Sequence, residues 1–204
     1  MMNMDEKGRL RKLALSKRDA ISAAERESRS LAIAARLFSL PEITAAQTVM
    51  CYRSFRSEVD TDKIVENFLH RGMTLCFPLC EKAGIMHALA PCDESAWKKS
   101  SFGIMEPVME NSRLIAPEEI DIVICPMTAF DGERKRLGYG GGYYDRYLPA
   151  CKKALKIGIA FEAQKLEHIP TDSFDMAMDM VITENRIIVG ADAHIGPHKK
   201  TQRL

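Results

Sequence analysis

No run in these 204 residues approaches the roughly 18 consecutive apolar side chains that a membrane span requires. The stretch from Met1 to Arg18 is charged and helical in composition, without the apolar centre of a secretion signal. An excess charge of one sign is also missing. The 29 basic and 28 acidic residues leave +1, too little to grip nucleic acid or an anionic surface. These absences predict a soluble, cytoplasmic monomer with small-molecule ligands, without a nucleic-acid or membrane partner. Six cysteines are present, but several lie in apolar strand-like runs (Val49 to Tyr52, Leu75 to Phe77, Val123 to Cys125), where a thiol behaves as a small buried hydrophobe. Cys76 with Cys80, and His194 with His198, have loosely zinc-like spacing, but the pairs are far apart and interrupted by Pro78, Gly196 and Pro197, so no zinc is expected. No convincing Ser-His-Asp or Cys-His set emerges. A Walker A loop is absent, and a dinucleotide fingerprint fails because Tyr143 stands where the third glycine belongs.

What is present is a ten-residue segment, Arg136-Leu137-Gly138-Tyr139-Gly140-Gly141-Gly142-Tyr143-Tyr144-Asp145, with four glycines, three tyrosines, a leading cation and a closing carboxylate. Glycines let backbone N–H groups converge on an anion. A helix opening at Gly142 and running through Tyr144 and Leu148 to Pro149 would add its free N–H groups and positive dipole end. Arg136 offers a formal charge, and Asp145 a hard oxygen ligand for Mg²⁺. A glycine-rich connecting turn is the bland alternative. The coincidence of glycine, cation and carboxylate favours a nucleotide site.

With 46% hydrophobic residues the chain can bury one sizeable core, which predicts a single domain over residues 1–190 and a tail over 191–204. Two helical pieces open it. Leu10, Leu13, Ala14 and Lys17 repeat at helical spacing; the capping box Ser22-Ala23-Ala24-Glu25 then starts a second helix with Leu31, Ala34, Ala35 and Phe38 on one side, closed by Pro41. Strand-like runs follow at Gln47 to Tyr52 and Met73 to Phe77 around a helix from Thr61 to His70. Further runs cover Ile85 to Ala90, Asp121 to Cys125, Ala154 to Phe161, Met180 to Thr183 and Ile187 to Val189. The prediction is a three-layer, Rossmann-like α/β fold: an open parallel or mixed sheet flanked by helices, with an N-terminal helical segment. In such a sheet ligands bind beyond the strands' carboxyl ends. Arg53 and Glu58, Pro78, Thr128 with the glycine loop, and Glu162 all fall there.

Thr128-Ala129-Phe130-Asp131, the glycine segment and the following Arg146-Tyr147-Leu148 closely resemble the signature of the 5-formyltetrahydrofolate cyclo-ligase family, with likeness extending from about Lys7 to Glu184. The resemblance implies ATP- and Mg²⁺-dependent closure of 5-formyltetrahydrofolate to 5,10-methenyltetrahydrofolate, with ADP and phosphate released. It places Lys7, Arg11, Arg136, Gly138, Tyr139, Gly140, Gly141, Gly142, Tyr143 and Tyr144 on ATP. Lys7 and Arg11, four residues apart, share a helix face. Arg53-Ser54-Phe55-Arg56-Ser57-Glu58-Val59-Asp60-Thr61 is similar to a second family motif, implying that Arg53 and Glu58 hold folate together with Tyr139 and Tyr143. Glu58 suits the paired donor edge of a pterin. Arg136 and Glu58 are the implied catalytic residues. Phe102-Gly103-Ile104-Met105-Glu106-Pro107 resembles a G-x-x-E-P element bordering the site; Trp97, just upstream, could pack on a folate ring, but a lone tryptophan is more often partly buried core, so it is left out of the site. Asp145 and Asp175 are the implied Mg²⁺ ligands, with Asp179 the alternative to Asp175. One departure concerns Arg134, where the family commonly has glycine. The turn is expected to shift to Gly132, leaving Arg134 or Lys135 as possible substitutes for Arg136. A phosphate-binding isomerase or acyl-transfer enzyme, or a nucleotide-binding regulatory module, are the rival readings.

Overall fold

The structure, a computed structural model, describes residues 2–100 and 103–190, with the backbone alone for residues 2–5. The predicted tail at 191–204, His194, His198 and Phe102 lie outside the described residues. Helix α1 (Met2–Asp19) is followed by α2 (Ala23–Phe38), α3 (Pro41–Ala45), β1 (Thr48–Met50), α4 (Asp62–His70), β2 (Thr74–Cys80) and β3 (Met86–Pro91). The short hairpin β4 (Trp97–Lys99) and β5 (Met105–Pro107) precedes β6 (Ser112–Ile115) and β7 (Ile122–Pro126). A second hairpin, β8 (Ala129–Phe130) with β9 (Arg136–Leu137), leads through the glycine loop into α5 (Tyr143–Tyr147). Strands β10 (Leu155–Ile159), β11 (Met180–Ile182) and β12 (Ile187–Val189) complete the chain.

The main sheet has eight strands in the order β12-β11-β10-β7-β1-β2-β3-β6. Its five central strands are parallel; β12 pairs antiparallel with β11 at one edge, and β3 pairs antiparallel with both β2 and the edge strand β6 at the other. Strand β1 pairs with β2 on one side and β7 on the other, so the order reverses there and leaves a crevice beyond the carboxyl ends of β1 and β7. Register fixes which side chains share a face. Val49 opposes Leu75 and Ile122, and their face packs beneath Ile33, Ile64 and Phe68 of α2 and α4. Met50 opposes Cys76 and Val123, and that face is covered by Leu148 and the tyrosines of α5. The second layer is therefore a five-residue helix and single turns rather than long helices. Pro78 sits inside β2 without penalty because β1 ends opposite Cys76, leaving Pro78 paired with β3 alone.

Ser22 caps α2 as predicted: its hydroxyl accepts from Glu25 N–H at 3.3 Å, and the Glu25 carboxylate accepts from Ser22 N–H at 3.2 Å. The inward faces of the first two helices differ from the sequence expectation. On α2 the buried stripe is Ser30, Ile33, Ala34 and Leu37, whereas Leu31 remains half exposed. The two stripes have the same helical spacing, and only the sheet beneath selects between them. On α1, Leu13 and Lys17 face outward, while Lys7, Ala14 and Arg18 are buried. This helix rests on polar loops at the carboxyl edge of the sheet, and its short apolar contact is Ala14 with Ala129, Leu137, Leu166 and Ile169.

Candidate functional site

The glycine loop crosses the crevice beyond β7. Gly140 (φ +103°) and Gly142 (φ +66°) take the left-handed region that side chains disfavour, and Gly142 caps α5 as predicted. Arg11 Nε donates to Gly138 O at 2.9 Å, and Arg146 Nη2 donates to Gly141 O at 2.5 Å. Two loop carbonyls are thereby held by cations. Among the described residues, none of the amide N–H groups from Gly138 to Gly142 donates a hydrogen bond. Exposed amides on a loop with its carbonyls tied back form a concavity suited to phosphate oxygens. At five residues α5 is too short for its dipole to dominate, so Arg11 and Arg136 carry the attraction.

Arg136 is buried and its Nη1 lies 2.8 Å from Asp145 Oδ1. Its Nη2 is buried without a hydrogen-bond partner among the described residues, and the guanidinium stands 5.9 Å from the Tyr144 ring centroid. The Tyr144 hydroxyl and Thr128 Oγ1 are likewise buried and unpaired among the described residues. A cation, a phenol and a hydroxyl left unsatisfied close to one loop mark a place shaped for something polar. Tyr143 turns its hydroxyl to Glu81 O at 3.0 Å.

Glu58, 81 residues before the loop, is brought to it: Tyr139 O–H donates to Glu58 Oε1 at 2.9 Å, and Phe55 N–H donates to Oε2 at 2.9 Å. Burial raises the Glu58 carboxyl above its ordinary range, opposed by the Phe55 N–H, the Tyr139 hydroxyl and the Arg18 charge. Arg53 lies elsewhere. It pairs with Asp62 at 3.3 Å, stands 5.8 Å over the Trp97 ring and lines a cleft of about 880 Å³ with Leu75, Phe77, Trp97 and Arg113. Neither Glu58 nor the glycine loop lines that cleft.

Lys7 and Asp175 are brought together. Lys7 Nζ lies 2.7 Å from Asp172 and 2.5 Å from Asp175. Burial alone would lower this ammonium, but the hydrogen bonds to the two carboxylates outweigh it and raise it. Asp145 and Asp175 each pair with a cation through one oxygen. No hydrogen bond reaches the other oxygen of either among the described residues. Asp179 sits at the amino end of β11 and accepts from Lys156 N–H at 2.7 Å, at the opposite edge of the sheet from the glycine loop.

Two readings are corrected. Arg134 takes φ +66° itself and Gly132 does not, so the turn stays where the family's glycine would be. Arg134 Nε donates to Met178 O at 3.0 Å and Lys135 pairs with Glu133 at 2.5 Å, leaving Arg136 as the cation of this trio beside the loop. Asp131 is a buried staple accepting from Glu133, Lys135 and Ile169 N–H groups. Glu162 is held by Arg186 and Thr183.

Sequence reasoning missed Arg18 and Arg146. Arg18 is 2% exposed, and donates to Ser57 Oγ at 3.0 Å and to the Tyr139 hydroxyl at 3.1 Å. A signal existed: positions 7, 11, 14 and 18 form one stripe of α1, cationic at three of four places.

The fold and site together define an α/β protein with a candidate anion site at the switch point of a mixed sheet. Residues 3–184 match the 5-formyltetrahydrofolate cyclo-ligase family. The chain is 27% identical over 175 residues to the 5-formyltetrahydrofolate cyclo-ligase of Escherichia coli, covering 84% of this chain and 96% of that one. The solution structure of the Aquifex aeolicus 5,10-methenyltetrahydrofolate synthetase superposes with a TM-score of 0.80 at 32% identity, covering 97% of this chain and 99% of that one. A Mycoplasma pneumoniae 5,10-methenyltetrahydrofolate synthetase gives 0.72 at 26% identity, covering 87% and 98%. This chain belongs to the 5-formyltetrahydrofolate cyclo-ligase family.

Replacing Gly141 with valine tests the loop. A Cβ there would lie 2.8 Å from the Tyr143 ring, so the branched side chain must displace either the ring or the loop. The KM for ATP is expected to rise several-fold with little change in thermal unfolding, because the position is exposed. An unchanged KM would make the run a simple turn.

Proposed function

We propose that this chain closes 5-formyltetrahydrofolate to 5,10-methenyltetrahydrofolate at the expense of ATP, releasing ADP and phosphate. One observation carries the reading beyond family membership: the Tyr139–Glu58 hydrogen bond at 2.9 Å joins the loop suited to phosphate to the carboxylate suited to a pterin. The formyl oxygen attacks the γ-phosphorus as ADP leaves; N10 then attacks the activated carbon and gives up its proton, and phosphate departs with the former formyl oxygen and takes up that proton. No side-chain nucleophile is needed, in keeping with the lack of a catalytic triad. The protein contributes alignment and charge. Arg136 Nη2 and the loop amides face the transferring group, Arg11 fixes the loop, and Glu58 anchors the pterin. The cleft beside Arg53, with its Phe77 and Trp97 walls, has a volume ordinary for a small-molecule site and suits the remaining aromatic part of folate.

Two carboxylates with a spare oxygen each match the needs of Mg²⁺, which takes one or two protein carboxylates and completes its shell with phosphate oxygens and water. Asp145 and Asp175 would hold it, and the metal would neutralise charge on the phosphates. Lys7 fixes Asp175 and Arg136 fixes Asp145. Asn at position 145 or 175 is expected to raise the Mg²⁺ concentration for half activity several-fold, and Asp179→Asn to leave it unchanged. A response from the Asp179 variant alone would move the metal away from the glycine loop. The direct test of function is the absorbance assay for methenyl product with purified chain, 5-formyltetrahydrofolate, ATP and Mg²⁺. ATP binding without product would favour a regulatory module.

A further inference from the structure

We infer that Arg18 is a positioning residue for the folate half of the site, acting through the Tyr139 hydroxyl on Glu58. The inference rests on the reading of Glu58 as the pterin anchor. Arg18 projects from the last turn of α1, is 2% exposed, and spans two loops that are distant in sequence. Its Nε donates to Ser57 Oγ at 3.0 Å, next to Glu58 in the loop after β1, and its Nη2 donates to Tyr139 Oη at 3.1 Å in the glycine loop. Tyr139 Oη in turn donates to Glu58 Oε1 at 2.9 Å. Donor and acceptor roles are fixed along this chain. A guanidinium only donates, so the phenol accepts from it and has its single proton left for the carboxylate. Ser57 Oγ donates onward to Asp19, which locks that branch.

The arrangement settles what Tyr139 does. Its hydroxyl is held between Arg18 and Glu58, so its contribution is to orient the carboxylate, while its backbone belongs to the phosphate loop. Arg18 Nη1 is buried with no hydrogen-bond partner among the described residues; the guanidinium, whose Nε lies 4.0 Å from Asp19 Oδ1, also acts on the Glu58 carboxyl through its charge. A charge relayed through a phenol aims the Glu58 carboxylate and opposes the burial that raises it. The groups facing Glu58 are Arg18 from α1, Tyr139 from the glycine loop, Tyr52 from the end of β1 and Tyr144 from α5. Burial, and then the Glu58 charge, push the Tyr139 phenol up to about 12, so it stays a donor throughout the working pH range.

Kinetics of the full-length Tyr139→Phe and Arg18→Lys variants, separately and combined, decide the matter. Tyr139 is largely exposed, so its variant keeps the fold, and lysine at 18 keeps the charge but cannot fork between Ser57 and Tyr139. Each variant is expected to raise the KM for 5-formyltetrahydrofolate about tenfold, the scale of one hydrogen bond to a charged group, with the KM for Mg-ATP within about twofold. The double variant is expected to be no worse than the weaker single one, because both cut the same chain. The acid limb of kcat/KM for folate should move to higher pH in Tyr139→Phe, since removing a donor raises the carboxyl further. Effects that add, a rise in the ATP KM instead, or a loss of thermal stability with folate KM and acid limb unchanged would overturn the inference. Absence of methenyl product from the wild-type chain would instead refute the proposed function.

Discussion

Arg136→Met is expected to lower kcat by about 10² to 10³, the scale of removing one donor aimed at developing transition-state charge. The guanidinium is nearly inaccessible, spends Nη1 on Asp145 and leaves Nη2 buried and unpaired. A buried donor with no acceptor costs about 1–3 kcal/mol, a cost that an incoming phosphate oxygen removes. Methionine fills similar volume, and Asp145, with its side chain 24% exposed, can turn to water, so the fold is expected to lose only about 1–2 kcal/mol. Turnover at saturating substrates, measured beside a thermal unfolding curve, separates the two effects. A folded variant with wild-type kcat would reduce Arg136 to a strut for α5.

Glu58→Gln is expected to weaken folate binding about five- to 150-fold, the equivalent of about 1–3 kcal/mol for a mismatched buried polar contact. Both carboxylate oxygens already accept, one from Tyr139 and one from Phe55. An amide satisfies only one side and presents N–H₂ to a donor on the other, and it also loses the charge that a pterin donor edge seeks. ATP affinity should change by less than about twofold, since among the described residues no N–H of the glycine loop donates to Glu58, whose partners are the Phe55 N–H and the Tyr139 hydroxyl. Calorimetry with each ligand separately reads this out. Loss of ATP binding with folate binding intact would assign Glu58 to the nucleotide.

The parallel strands were legible because their apolar runs were continuous and bounded, as buried strands are. The β4–β5 and β8–β9 hairpins and β6 were not: they are two to four residues long, and β4 and β6 carry mixed charge and exposure. Chain pattern shows which residues can face inward, but on α2 two stripes competed and only tertiary packing chose Ile33 over Leu31. At the site, composition exposed the glycine loop and motif exposed Glu58. The hydrogen-bond chain through Arg18 stayed hidden, because a cation in a charged helix looks solvated until the surface it meets is known. Arg134 shows a different limit. Its left-handed backbone is held by side-chain bonds to Met178 O and Val189 O, contacts 44 and 55 residues away that no local turn rule contains.

The placement of α1 has a consequence for how the molecule is made. Its polar anchors lie far along the chain, with Lys7 bonded to Asp175 across 168 positions, Arg11 to Gly138 across 127 and Arg18 to Tyr139 across 121. Helix α1 thus takes its full seat only after residues far along the chain have been made, and the closure entropy of that long loop is recovered only when the sheet is nearly complete. Until then Lys7 and Arg11 lack these partners, and Arg18 has those nearer in sequence, Asp19 and Ser57. The segment that brings the charge is kept waiting until the loops it meets exist, so the candidate anion site gains its cations in one late step rather than gradually with chain length.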